Sequence, residues 1–479
     1  MNKKPNLSIR SAAVSAALVA LTVLGSCGGG VTGSGGTGAP PTAYSVGTVS
    51  GFGSVIVDGV AFDDLHARVV TETAPGIDSP AEVRLGERVA VASTEAGVAS
   101  LIRIETALSG PVAAAPSGGR FTVLGQTVAI ITAGGSGPTT QLGGGYLRAS
   151  DIAVGDAVDV SGVLVQQGAT WIVSATRIDK LPTLPDYLRV TGVVAGLAAG
   201  STNFLIGDLA VTASGAPLLP ADAVLANEAV VTVLAVPSTY VASGVGAPRL
   251  RAAQVRLALL QPSSVDGFLS GSISALDIAA KTFTLGGQRV SYGGAIFSPT
   301  GAALSNGSYV QVRGQVGIDG TLVAASVNVR DSRTEDDSEL SGNIVAFDSV
   351  ARTFMLRGVL VNASAATLQG CPATGLSSGL YVHVSGTLAS SGVAATTIRC
   401  ESEAAGSSVE RQGLGSGVDA ATRAFILTPS QGGPVTVQWT DTTYFGNGLT
   451  PATLSGKSIE VEGSFVGLAL VATKIKLDD

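Results

Sequence analysis

The sequence predicts an all-β protein: a tandem array of six small antiparallel OB-like β-barrel modules, behind a lipoprotein signal peptide and a flexible tether. Three observations carry this expectation. A pattern of alternating apolar residues, a turn pair and a further apolar residue at plus seven recurs six times. Glycine, at 64 of 479 residues, is nearly twice its usual share, and charged residues, at 13%, are about half of theirs. Both features suit short, turn-rich strands. At 45% hydrophobic residues the chain is too apolar for disorder, and amphipathic helical periodicity is nearly absent.

The chain opens with Lys3, Lys4 and Arg10, a positive segment ahead of Ser11 to Leu24, a 14-residue stretch rich in Ala, Val and Leu. A crossing helix needs roughly 18 or more such residues, so this reads as an export signal. It ends in Leu24-Gly25-Ser26-Cys27, which resembles the bacterial lipobox. The resemblance implies cleavage before Cys27 and a diacylglycerol on its sulfur; the alternative is an ordinary secretory signal with an incidental cysteine. Acyl chains anchor through roughly 0.8 kcal/mol per buried methylene. Gly28, rather than Asp, implies the outer membrane in such lipoproteins, facing the periplasm or the cell surface. Gly28 to Pro41 is rich in Gly, Ser, Thr and Pro and reads as a flexible tether. The expected divisions are 1–26 signal peptide, 27–44 acylated Cys and tether, 45–108, 109–182, 183–262 and 263–332 for modules one to four, 333–403 for an acidic linker plus module five, and 404–479 for a short linker plus module six.

The repeat is plainest in its fourth copy. Ser270 to Ala275 is a first strand, and Thr282 to Leu285 a second, with Phe283 and Leu285 on one face. Gly286-Gly287 turns the chain into a third, Gln288 to Tyr292. After a looser segment, Tyr309-Val310-Gln311-Val312-Arg313-Gly314 alternates as a fourth strand, and Val323 to Val329 is a fifth. The plus-seven pairs are Val55/Phe62, Phe121/Val128, Phe204/Val211, Phe283/Val290 and Phe354/Val361, with Phe425/Val435 carrying three extra residues. Asp58-Gly59, Leu124-Gly125, Gly207-Asp208 and Arg357-Gly358 occupy the tight turn, where positive φ is needed. The fifth strand repeats Ala, two residues, then Ile or Val: Ala99/Ile102, Ala175/Ile178, Ala252/Val255, Ala324/Val327, Ala395/Ile398 and Ala472/Ile475. Such columns belong to a core face. Five strands with a loose segment between the third and fourth fit an OB-type barrel.

The start Gly47 to Ser54, the run Phe121 to Gln126 and the strand pattern Gly-x-x-Val-x-Val-x-Gly are similar to a family of exported bacterial repeat proteins, the domain of unknown function 5666. The resemblance implies the module fold and an envelope location, and no activity. Copies one and three depart most from the pattern.

Candidate chemistry is sparse. Of two histidines, His383 occupies an outward column between Val382 and Val384, and His66 follows the third strand of copy one, with Asp63 and Asp64 as conceivable metal partners. Cys371 and Cys400 lie 29 residues apart in module five. We read them as a disulfide in an oxidising compartment, worth roughly 3.6 kcal/mol on a chain-entropy model; the alternative makes Cys400 a buried small hydrophobe. The acidic run Glu335-Asp336-Asp337-Ser338-Glu339 reads as a solvated linker. Trp439, Tyr444 and Phe445 form the candidate ligand surface. No motif for nucleophilic, redox, phosphate-binding or metal chemistry stands out, and no cofactor is expected. The 28 basic and 35 acidic residues become 25 and 35 without Lys3, Lys4 and Arg10, a net −10, which argues against nucleic acid as a partner. The expectation is a non-catalytic cell-envelope lipoprotein, a structural or interaction array. It would touch the membrane through its lipid and meet an envelope polysaccharide or another envelope protein. The alternative is an oligosaccharide- or small-ligand-binding protein using OB-like barrel faces.

Overall fold

The computed structural model describes residues 43–64, 67–95, 97–133, 137–221, 223–242, 246–258, 266–330, 336–400, 408–429, 434–446, 448–466 and 469–478. No α-helix occurs among them. Alternation of apolar and polar residues does what it does in any half-buried strand: in Tyr309–Val316, alternate side chains from Val310 onward are buried. All twelve members of the Ala and Ile/Val columns are buried, from Ala99 and Ile102 to Ala472 and Ile475.

A shared circuit of strands recurs in every repeat. In the fourth, Gly267–Asp277 pairs with Thr282–Leu285, which pairs with Gln288–Ser291. The hairpin places Phe283 opposite Val290, and the same register joins Val55 to Phe62, Phe121 to Val128, Phe204 to Val211 and Phe354 to Val361. In the sixth repeat Phe425 faces Val437, not Val435. The turn residues Leu124 and Arg357 adopt φ of 50° and 47°, followed by glycines at 72° and 73°, the geometry of a type I′ hairpin.

The sheets are mixed, not purely antiparallel. The third strand joins the fifth in parallel, as Val290 with Leu322 and Val361 with Val393. The loose segment supplies a further short strand to the same edge, Ile296–Ser298 in repeat four and Thr367–Gln369 in repeat five. The fifth strand then hairpins back onto the fourth, and the fourth pairs with the first.

The last glycine of the Gly-x-x-Val-x-Val-x-Gly pattern has a physical cause. Gly162, Gly314, Gly386 and Gly463 each sit where the fourth strand slips register against the fifth. A Cβ there would overlap the backbone of the fifth strand, at Ser174, Val323, Ala394 and Val471 respectively. Only glycine lets the two backbones close at this bulge.

The expectation of six OB-like barrel modules is corrected. The strands form a β-solenoid of about 11 turns. Pairing between repeats is what overturns the modular picture. Repeats one, four and five share a 20-stranded sheet, and repeats two and three share one of 13 strands; the last five strands, in repeat six, close on themselves. Ala43–Phe52 of repeat one is flanked by two first strands, running parallel to Gly267–Asp277 at Val46/Leu269 and to Asp337–Asn343 at Gly51/Glu339. Glycine again permits the approach, since a Cβ on Gly51 would overlap the carbonyl of Glu339 and one on Gly267 the carbonyl of Tyr44. A strand edge that local periodicity leaves unpaired is thereby covered by another repeat.

The described part of the acidic run is not a solvated linker. Asp337–Asn343 is the first strand of repeat five. Asp336 is buried and accepts hydrogen bonds from Thr139 N (2.6 Å) and Thr139 Oγ1 (3.0 Å) of repeat two.

Candidate functional site

A cavity of about 470 Å³ opens where repeats one to four meet. The fourth and fifth strands of repeat one, Arg88–Glu95 and Val98–Ile104, supply Arg88, Ala90 and Arg103, and Glu105 follows directly. Repeat three brings Arg256 on Gln254–Leu257, repeat two Val163 and Leu164, and repeat four Leu269 and Ser270. Arg88, Ala90, Arg103 and Val163 sit on the outward columns of their own strands, while Leu164 and Leu269 also pack against the cores of repeats two and four.

Its charges are arranged in three ways. Arg103 holds Asp78 with two hydrogen bonds, one of 2.7 Å, and this keeps the Asp78 carboxyl below its ordinary range. Arg256 binds Glu72, which also accepts from Arg189 Nη2 (3.1 Å) and Gln254 Nε2 (3.2 Å). Burial raises the Glu72 carboxyl, but Arg256 and Arg189 outweigh it and the net shift is downward. Arg88 differs. It is 8% exposed and donates to Ser270 O (2.9 Å) and Thr48 Oγ1 (3.3 Å), and no carboxylate among the described residues forms an ion pair with it. Glu105 has no side-chain hydrogen bond or ion pair among the described residues, and burial pushes its carboxyl upward against the fields of Arg189, Arg103 and Arg256.

Among the described residues that line the cavity, Glu105 is the one carboxylate, and there is no histidine or cysteine. Ser270 Oγ is occupied by Asp58.

A second acidic cluster, Glu410, Glu460 and Glu462, brings carboxylate oxygens within 4.8 Å of one another. Basic groups already answer it. Glu460 meets Lys476 Nζ and Arg357 Nη2, each at 2.9 Å, and Glu462 meets Lys474 Nζ at 2.9 Å. Arg357 comes from repeat five, so the cluster is the seam between repeats five and six. Burial and the neighbouring Glu460 raise the Glu410 carboxyl, which also accepts from Tyr381 of repeat five.

The residues expected from sequence fall elsewhere. Cys27 and His66 lie outside the described residues. Cys371 and Cys400 form a disulfide, and Cys400 is also buried in the core of repeat five. Trp439 is 8% exposed and packs into the core of repeat six, with ring centroids 6.2 Å from Phe425 and 6.3 Å from Phe445. Phe445 packs against the same core, and Tyr444 alone of the three is exposed. The structure therefore does not bring the trio together as one open surface. His383 is half-buried, its Nδ1 2.8 Å from Ser341 Oγ. Sequence reasoning passed over Arg88 and Glu105, and nothing in their local pattern marks them.

The family model for the domain of unknown function DUF5666 matches residues 109–179, 270–328, 341–399 and 418–476. The chain belongs to the DUF5666 family. The four DUF5666 matches are repeats two, four, five and six, and each contains the hairpin and the bulge glycine described above. Repeats one and three, which depart most from the DUF5666 pattern, contribute Arg88, Glu105 and Arg256 to the cavity. A comparison with curated proteins finds no match.

Proposed function

We propose that this DUF5666 protein is a non-catalytic cell-envelope lipoprotein whose role is structural: a continuous β array presented from a lipid anchor to other envelope components. The observation that supports the reading is the pairing between repeats. Ala43–Phe52 is held between the first strands of repeats four and five, so the repeats keep a set register rather than swinging as beads. A fixed register suits a scaffold, because contact points on different repeats stay at constant spacing.

The test is fractionation and cross-linking in intact envelopes. The protein should sediment with membranes and carry lipid, and Cys27→Ala should release it unacylated. Photo-cross-linkers at exposed strand positions such as Val323 and Tyr444 should capture the same envelope partner. A Cys27→Ala protein that still carries lipid would overturn the anchor, and cross-linkers that capture nothing would overturn the scaffold. A second reading, small-ligand binding, is favoured by the cavity between repeats one to four, with its buried Arg88.

A further inference from the structure

The cavity's wall is mostly apolar, with Val46, Val163, Leu164, Leu257 and Leu269 facing it, and its volume of about 470 Å³ lies in the range of small-molecule sites. Three guanidinium groups and one carboxyl reach it. Arg103 and Arg256 are matched by Asp78 and Glu72. Arg88 is more than nine-tenths buried and has no ion-pair partner among the described residues. Asp58 bonds the same Thr48 and Ser270 that Arg88 bonds, yet forms no ion pair with it. Buried charges are ordinarily paired, because the desolvation of a lone one is costly. An arginine carries five N–H donors, and two hydrogen bonds account for Arg88.

We propose that the cavity between repeats one to four binds a medium-chain aliphatic carboxylate, its head group on Arg88 and its chain along Val163, Leu164, Leu257 and Leu269. The ligand carboxylate supplies the direct ion-pair partner that Arg88 lacks, since Asp58 reaches it only through Thr48 and Ser270. An ammonium head would meet the Arg88 guanidinium, which has no ion-pair partner among the described residues, and a neutral alcohol would leave it without one. This inference rests on the ligand-binding reading and is independent of the scaffold.

The experiment uses the full chain and three probes below their micelle concentrations: dodecanoate, dodecanol and dodecylammonium. Calorimetric titration and thermal unfolding should show dose-dependent binding and a raised midpoint with dodecanoate, and at least about tenfold weaker binding with the other two, the loss expected for one charge-assisted hydrogen bond. Arg88→Met should abolish the preference for the acid. Should that variant fail to fold, Ala90→Trp decides instead: it fills the cavity from a half-exposed position and should abolish dodecanoate binding while keeping the wild-type circular dichroism and melting midpoint. Equal binding of dodecanol would overturn the carboxylate assignment and leave ligand binding standing. Preference for dodecylammonium would overturn the charge argument. Absence of binding by all three, or dodecanoate binding undiminished in a folded Ala90→Trp, would overturn the site itself.

Discussion

Glu72 shows how much a single buried side chain carries here. Its carboxylate accepts from Arg189, Arg256 and Gln254 of repeat three while sitting on Arg68–Ala74 of repeat one. Glu72→Ala should therefore cost about 3–5 kcal/mol, because it leaves the buried Arg189 without its counter-charge; the denaturant midpoint measures this, and a change under 1 kcal/mol would mean water already compensates that arginine. Glu87 gives a pH signature of opposite sign to the common acid denaturation. Burial pushes its carboxyl up to about 7, ahead of the lowering by Arg84. The folded protein thus holds this proton more tightly than the unfolded chain, whose value is near 4.5. The stability so conferred is full below about pH 4.5 and is lost as the pH rises through 7, up to roughly 3 kcal/mol on the linkage relation. Melting midpoints of the wild type should fall across this window relative to Glu87→Gln; parallel curves for the two proteins would refute the assignment.

At the scale of the element, the bulge glycine governs how the fourth and fifth strands meet. Gly314→Val would drive a side chain into the Val323 carbonyl, and such overpacking costs about 1–3 kcal/mol or more. Amide exchange should quicken first in Leu322–Val329, and exchange unchanged there would show that the bulge relaxes freely. The elements were legible in the sequence because their information is local. Period-two alternation around Phe121 and Val128, and the column Ala175/Ile178, report burial within one hairpin, and the structure buries all four. Trp439 belongs to the candidate ligand surface on sequence, yet its alternate position points inward against Phe425. Arg88 and Glu105 were invisible for another reason. They sit at positions that would face solvent in an isolated repeat, and other repeats decide their surroundings.

The same limit explains the misjudged architecture at the scale of the molecule. Six copies of one pattern imply six like units, but nothing in a repeat's own periodicity says whether its first strand faces water or another first strand. Gly51 and Gly267 are the residues that answer, and glycine alone is too common here, at 64 residues, to be read as a docking signal. Because repeats one, four and five share a sheet while repeat six closes on itself, unfolding should not proceed as six equal steps. We expect one cooperative transition for the shared sheets and a separable one for repeat six, joined to repeat five through Arg357 and Glu460. Arg357→Met should widen the gap between the two in a calorimetric scan. Six resolved transitions would contradict this coupling.

The position of Ala43–Phe52 between two later strands also sets a timetable. Ala43–Phe52 finds its local partners in Val55–Val57 and Arg88–Glu95, but its contacts with Leu269 and Glu339 must wait until repeats four and five have been made. Contacts this distant slow folding and leave strand edges open to wrong partners in the meantime. A newly made chain would therefore gain from a holding factor that binds extended segments of repeat one, and fragments ending before repeat four would be prone to aggregate however well their own hairpins form.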